Sequence, residues 1–273
     1  EIVILLATRT SIRIHRRIPI STISPTVALH PATYINKLLL GGDGACLVNI
    51  RSTKVLHTFT CLPDKTSITA LEQAPAVDTV AMGTSQGRVH LVNLKHDKLL
   101  FTLKHGPTPI TAISFRTDGS AVHYGIAPMA VCRGDGKVTV WDLTTPKDPG
   151  VGRTILCEMN AGARQVQYFP QEPLLLCGGD NSVSMYVFDQ PDHGARLLKQ
   201  RSGHTSPPSL IRYLRATSTS TMDGTDASTC QILSGGSDRS LRVFSTARSV
   251  LDKEYSQGQG IDKRARQFGI DRS

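Results

Sequence analysis

Cys132-Arg-Gly-Asp-Gly-Lys-Val-Thr-Val-Trp-Asp-Leu143 decides the fold of this chain. It reads as a strand end, a tight turn at Asp135-Gly136, and a strand in which Val138, Val140 and Thr139 alternate before Trp141. Asp-Gly between two β-rich runs predicts a type I′ hairpin, whose central residues both need positive φ. Trp141 is the single tryptophan of the chain, and it is followed by Asp142. A turn, a β-branched alternation and a closing Trp-Asp together form the blade pattern of WD-repeat β-propellers.

Outward from that stretch the pattern recurs. Leu39-Leu-Gly-Gly-Asp-Gly-Ala-Cys-Leu-Val-Asn49 and Ala81-Met-Gly-Thr-Ser-Gln-Gly-Arg-Val-His-Leu-Val92 lie before it. Leu176-Cys-Gly-Gly-Asp-Asn-Ser-Val-Ser-Met-Tyr186 and Leu233-Ser-Gly-Gly-Ser-Asp-Arg-Ser-Leu-Arg-Val-Phe244 lie after it, and a weaker copy, Leu6–His15, opens the chain. The turns repeat at roughly 40–50 residues, with one shorter and one longer interval, which is the length of a four-stranded blade. The expected fold is therefore all-β: an incomplete WD-repeat propeller of about five blades plus part of another.

Bulk properties agree. Twenty-three glycines and 15 prolines in 273 residues suit many short strands joined by turns better than helices. No apolar run reaches the roughly 18 residues of a membrane-spanning helix, so no membrane association is expected. The apolar start at Glu1 has no basic flank and reads as a strand rather than a signal peptide. The six cysteines show no C-x-x-C spacing and read as buried free thiols. Cys132 and Cys177 stand at equivalent places in two repeats, which places them in different blades and argues against pairing. The formal charge of +9 favours an acidic partner, nucleic acid being the commonest.

The repeats set the strands. Ile2–Ala7 and Ser11–His15 read as the last strands of a blade whose beginning is missing, so the chain is expected to be a fragment. Val27–His30, Lys37–Leu40, Cys46–Ile50 and Val55–Phe59 make the next blade. Ile68–Leu71, Thr79–Met82, Val89–Leu94 and Leu99–Leu103 make another. Ile110–Leu143 carries the decisive repeat, with an outer strand near Thr154–Glu158. Val166–Phe188 follows, with Tyr186 in the tryptophan place, a turn at Asp192-His193-Gly194 and an outer strand Arg196–Gln200. Leu210–Leu214 and Ile232–Phe244 belong to the last repeat. Arg215–Cys230, rich in Ser, Thr, Asp and Gly, reads as a polar surface insertion. Residues 1–257 are assigned to the propeller and 258–273 to a basic linker or tail.

The polar residues of the pattern read as structural. His105, Asp135 and Trp141 are expected to share a buried hydrogen-bonded set with a Ser or Thr. His204, Asp238 and Phe244 occupy the corresponding places of the last repeat. Pairing of this kind offsets the cost of burying each polar group, a few kcal/mol. No catalytic constellation, cofactor motif or metal-ligand spacing is found. Gly41-Gly-Asp-Gly44 and Gly178-Gly-Asp180 recur at blade turns without opening a helix, so they read as turns and not phosphate cradles. Arg13, Arg16 and Arg17 read as an exposed basic edge. Lys263, Arg264 and Arg266 are the better candidates for phosphate contact, in an extended segment with few competing acids.

The last quarter is the most distinctive. Gly203-His-Thr-Ser-Pro-Pro-Ser-Leu-Ile-Arg-Tyr213, the run Gln231–Thr246 ending Val-Phe-Ser-Thr, and Ile261-Asp-Lys-Arg-Ala-Arg266 resemble the end of the first propeller in the U3 small nucleolar RNA-associated protein 21 family. That resemblance implies a non-catalytic, nucleolar tandem-propeller scaffold of the small-subunit processome, acting in early pre-18S ribosomal RNA processing. It implies other WD-repeat processome proteins as partners, and contact with pre-rRNA or U3 small nucleolar RNA through the basic tail. The family's second propeller and C-terminal helical domain are not within these residues. The alternative is a general WD-repeat adaptor, such as a ubiquitin-ligase substrate receptor or a signalling scaffold. A propeller enzyme would need acids or histidines at the channel mouth, and inner strands such as Ile68-Thr-Ala-Leu71 offer none.

Overall fold

The computed structural model describes residues 1–8, 10–63, 66–116, 129–143, 155–169, 174–188, 195–215 and 230–245. The basic tail, most of the Ser/Thr-rich insertion, the turn at Asp192-His193-Gly194 and the segment Val250–Tyr255 lie outside the described residues. Every regular element among them is a β-strand. The chain divides into two compact units, Glu1–Phe115 and Arg116–Ser273.

The first unit opens with a hairpin, β1 (Ile2–Ala7) and β2 (Ile12–Ile18). An antiparallel meander follows: β3 (Val27–Leu29), β4 (Lys37–Gly41), β5 (Ala45–Asn49) and β6 (Val55–Thr58). A second meander is built from β7 (Ile68–Gln73), β8 (Thr79–Thr84), β9 (Arg88–Asn93) and β10 (Lys98–Lys104). The unit ends in β11 (Ile110–Phe115), the inner strand of the decisive repeat. The second unit holds the rest of that repeat, β12 (Met129–Arg133), β13 (Lys137–Trp141) and β14 (Ile155–Asn160). It continues with β15 (Ala163–Tyr168), β16 (Leu174–Gly179), β17 (Ser182–Val187) and β18 (Arg196–Ser202), then β19 (Pro208–Arg215), β20 (Cys230–Gly236) and β21 (Leu241–Ser245). Four-stranded antiparallel meanders repeated in this way are the blades of an all-β WD-repeat propeller.

Continuous apolar runs form central strands because both faces are covered. On β4, Leu39 joins Leu47, Ile68, Val80, Met82 and Val92 on one side. Its neighbour Leu40 faces the other way and joins Ile18, Ile23, Cys46 and Val48. In the second unit, Leu176, Val183 and Met185 pack with Ile211, Ile232 and Phe244.

The decisive turn differs from the expected type I′. Gly136 has φ +84°, whereas Asp135 is not among the residues at positive φ. The Gly136 amide donates to the Arg133 carbonyl at 3.0 Å. One left-handed residue after an i to i+3 bond is a type I turn with a bulge, so the two-residue reading misplaced the turn start by one. The same bond links Gly87 to Thr84 (3.2 Å) and Arg239 to Gly236 (3.1 Å), with φ +70° and +65°. At Gly87 a Cβ would stand 1.8 Å from the Gly106 carbonyl oxygen, so this glycine is required by space as well as by φ.

A small residue on the second strand of a blade receives the start of the next inner strand. A Cβ on Gly41 would lie 2.8 Å from Ile68 Cγ2, and one on Gly83 would lie 2.6 Å from Ile110 Cγ2. Cys132 holds the corresponding place opposite Val138, and there the facing residue is Ala163. Bulk has moved from one partner to the other, with Cys132 Sγ 3.1 Å from the Ala163 carbonyl.

Register also corrects the reading of the cysteines. The turn after β16 is one residue shorter, with Gly179 directly opposite Ser182. Cys177 pairs with Ser184 and so corresponds to Val131, not to Cys132. A shift of one residue reverses the face of a strand side chain. Cys132 and Cys177 therefore address the same inter-sheet space, and both are buried thiols outside any disulfide. Complete burial, and then the neighbouring Cys132, push the Cys177 thiol well above its ordinary range.

Neighbouring blades of the first unit are laced at the inner and outer strands. Thr26 Oγ1 donates to the Ile68 carbonyl (3.1 Å), and Thr69 Oγ1 to the Ile110 carbonyl (2.6 Å). On the outside, Arg16 Nη1 on β2 donates to the carbonyls of Ile50 (3.1 Å) and Arg51, in the turn between β5 and β6. His57 on β6 holds the same relation to Asp97, in the turn between β9 and β10, at 3.1 Å.

Candidate functional site

The last repeat contains the best-connected polar cluster. His204 precedes β19, Ser234 lies on β20, and Asp238 and Ser240 lie in the turn to β21. His204 Nδ1 meets Asp238 Oδ2 at 3.0 Å, and Nε2 meets Ser234 Oγ at 2.9 Å. With Nδ1–H donating to the carboxylate, Nε2 accepts from the serine hydroxyl. Asp238 also accepts from the Ser240 hydroxyl (2.7 Å), the Ser240 amide (3.0 Å) and the Thr205 amide (2.9 Å). The Ser240 bonds, the Thr205 amide and His204 outweigh desolvation and hold Asp238 well below the usual carboxylate range. Phe244, 6% exposed, packs in the apolar cluster with Ile211 and Ile232.

Asp238–His204–Ser234 has the connectivity of a hydrolytic relay. Its burial gives it another use. His204 is 3% and Ser234 0% exposed, so the serine oxygen has no face toward a substrate. The network instead ties the segment before β19 to the turn that follows β20.

In the repeat that bears Trp141 the same pattern is wired differently. Trp141 is 6% exposed, and its indole Nε1 donates to Thr139 Oγ1 at 3.2 Å. Thr139 is two residues earlier on β13 and so shares its face. That alternation is the signal by which Thr139 was identifiable in the sequence. Asp135 accepts from Arg133 Nε (3.2 Å) and from the Lys137 amide (3.1 Å). The Arg133 hydrogen bond is the chief reason Asp135 is held below its ordinary value. His105 is buried in the first unit, where its amide donates to the Gly87 carbonyl at 2.8 Å.

The arginines of β2 are less free than an exposed edge implies. Arg16 is engaged with the Ile50 and Arg51 carbonyls, and Arg17 pairs with Glu1 at 3.2 Å. Arg13 is exposed. Lys263, Arg264 and Arg266 lie outside the described residues. Among the described residues no group of three or more His, Cys, Asp or Glu side chains is placed to hold a metal ion, and no helix is long and apolar enough to cross a membrane.

Comparison with known proteins adds three relatives and a family. Residues 3–189 match the family model described as the WDR36/Utp21 first beta-propeller. The chain is 37% identical over 245 residues to human WD repeat-containing protein 36, covering 89% of this chain and 25% of that protein. It is 33% identical over 242 residues to the U3 small nucleolar RNA-associated protein 21 homolog of Schizosaccharomyces pombe, covering 87% and 24%. It is also 33% identical over 242 residues to U3 small nucleolar RNA-associated protein 21 of Saccharomyces cerevisiae, covering 84% and 23%. The chain thus spans about a quarter of the length of the curated relatives it matches.

Proposed function

Because the chain belongs to the WDR36/Utp21 first-propeller family, we propose that it serves as a non-catalytic scaffold in ribosome biogenesis. Its place is the assembly of the small-subunit processome and the processing of pre-18S ribosomal RNA, in the nucleolus. The observation that carries this reading is the match to two fungal relatives named for association with U3 small nucleolar RNA, over 87% and 84% of the chain. The polar network of the last repeat supports a scaffold as well, since its histidine and serine are buried and fix a turn. The partners are other WD-repeat proteins of the processome, with pre-rRNA or U3 small nucleolar RNA reached through Lys263, Arg264 and Arg266.

The test is recovery of U3 small nucleolar RNA on the tagged chain expressed in yeast. Hybridisation of the bound RNA should show U3 enriched over a spliceosomal small nuclear RNA, and over the same pull-down with an unrelated propeller. Equal recovery in all three would remove the processome reading and leave a general WD-repeat adaptor.

A further inference from the structure

Two loops of the first unit hold apolar side chains out in water. Ile35, in the loop between β3 and β4, is 77% exposed, and Val77, in the loop between β7 and β8, is 64% exposed. Single exposed aliphatics are ordinary, but these two stand on neighbouring loops that are pinned together. The Ala32 amide donates to Gln73 Oε1 at 3.0 Å. The Tyr34 hydroxyl, next to Ile35, lies toward Asp78, next to Val77; burial and that carboxylate push Tyr34 up to about 12.

Each loop is also fixed within its own blade. The Ile50 amide donates to the Asn36 carbonyl (2.8 Å), and the Leu94 amide to the Asp78 carbonyl (2.7 Å). Thr33, Asn36 and Asp78 all have positive φ, at +69°, +57° and +61°. Ile35 and Val77 are therefore displayed on set backbones, and a partner meets them with little ordering cost.

Those same bonds bring the turns 50–54 and 94–97 to this rim, and the charge there is one-sided. Arg51, Lys54, Lys95 and Lys98 are exposed. The two acids of the rim are engaged internally. Asp78 lies toward the Tyr34 hydroxyl, while Asp97 takes the Thr60 amide (3.0 Å), the Thr60 hydroxyl (2.8 Å) and His57 (3.1 Å).

We infer that this rim docks an extended segment of a partner protein whose apolar side chains seat on Ile35 and Val77 and whose flanking carboxylates face Arg51, Lys54, Lys95 and Lys98. Apolar anchors within a complementary charged surround are the pattern of a protein-binding patch. A nucleic-acid surface of the same charge uses aromatic stacking, which aliphatic Ile35 and Val77 do not supply. The inference concerns a different surface from the basic tail, and its test does not involve U3 RNA, so the two fail separately.

The probe is a fluorescein-labelled peptide about twelve residues long, with leucines at two alternate central positions and glutamates flanking them on both sides, titrated into the full chain and followed by anisotropy. Extended, it presents both leucines on one face with carboxylates at either end. Controls are the peptide with serine for leucine, the peptide with lysine for glutamate, and oligouridine of equal length. The glutamate–leucine peptide should bind saturably and the two peptide controls about tenfold or more weaker. Ile35→Asp with Val77→Asp, and separately Arg51→Glu with Lys95→Glu, should each weaken binding about tenfold. All four residues are exposed, so unchanged melting temperatures verify folding; for any variant that melts early, Ile35→Ser with Val77→Ser is the substitute. No saturable binding, equal affinity in the variants, or oligouridine binding that the same variants abolish would each overturn the proposal.

Discussion

Asp238 sits at the convergence of donors from Ser240, Thr205 and His204, and its titration is a direct measure of what the turn contributes. A carboxyl held below its unfolded value near pH 3.9 contributes stability that is complete above that pH and disappears as pH falls toward the folded value. Urea midpoints should therefore fall progressively below about pH 4. Asp238→Asn should lower the midpoint at pH 7 and flatten that fall in part. The flattening is partial because Asp97 is held low in the same sense, by hydrogen bonds from Thr60 and Cys61 that outweigh its burial. An unchanged acid limb in Asp238→Asn would show that the network does not couple to folding. Trp141→Ala should cost about 3–5 kcal/mol, by loss of a buried indole. Thr139→Val should cost about 1–2 kcal/mol, because the indole N–H then loses its acceptor. For the proposed grouping of His105 with Asp135 and Trp141, a double-mutant cycle of His105→Ala with Trp141→Phe should give a coupling of at least about 0.5 kcal/mol, and simple additivity would dissolve the group. In the sequence, His204, Asp238 and Trp141 stood out by their spacing and Thr139 was within reach through the alternation of β13, while Ser240 emerged only with the hydrogen bonds of its turn.

Elements were more legible than their partners. The apolar runs and the Asp43-Gly44 turn placed the strands of the blade β3–β6 to within a residue, because strands covered on both faces read as continuous apolar runs that a turn interrupts. What the pattern did not carry was turn length. A turn shorter by one residue moves Cys177 one register position from Cys132 and so to the other face of its strand, and the two came to share a space that equivalence had denied them. The exchange of bulk between Cys132 and Ala163 is testable as a pair. Cys132→Gly leaves a void beside a small neighbour, and Ala163→Ile collides with the thiol. Together they restore the glycine and isoleucine arrangement seen at Gly83 and Ile110. Guanidinium denaturation should show each single variant destabilised by about 1–3 kcal/mol and the double variant less than either, a favourable coupling of about 1–3 kcal/mol. Additive losses would mean that the two residues do not meet as described.

For the molecule as a whole, fold was written in the repeats; family was read from a few less regular stretches of the last quarter, whereas the family model matches residues 3–189, ahead of those stretches. Function was written in neither, because a blade pattern serves any scaffold. Changing Lys263, Arg264 and Arg266 together to Ala should weaken binding to a U3 transcript and flatten its salt dependence, since fewer counterions are released. Filter binding at two salt concentrations reads this, and the melting temperature should stay nearly constant. Equal affinities and equal slopes would assign RNA contact elsewhere or to partner proteins. The outer-strand links have a consequence in time. Arg16 on β2 waits for carbonyls at Ile50 and Arg51, and His57 on β6 waits for Asp97. These two sheets of the first unit thus each leave a bond to be closed by the next. On a ribosome, where the N-terminus emerges first, such links fasten from front to back. The hairpin β1–β2 stays unlatched until 34 further residues have followed Arg16, and the blade β3–β6 until 40 have followed His57.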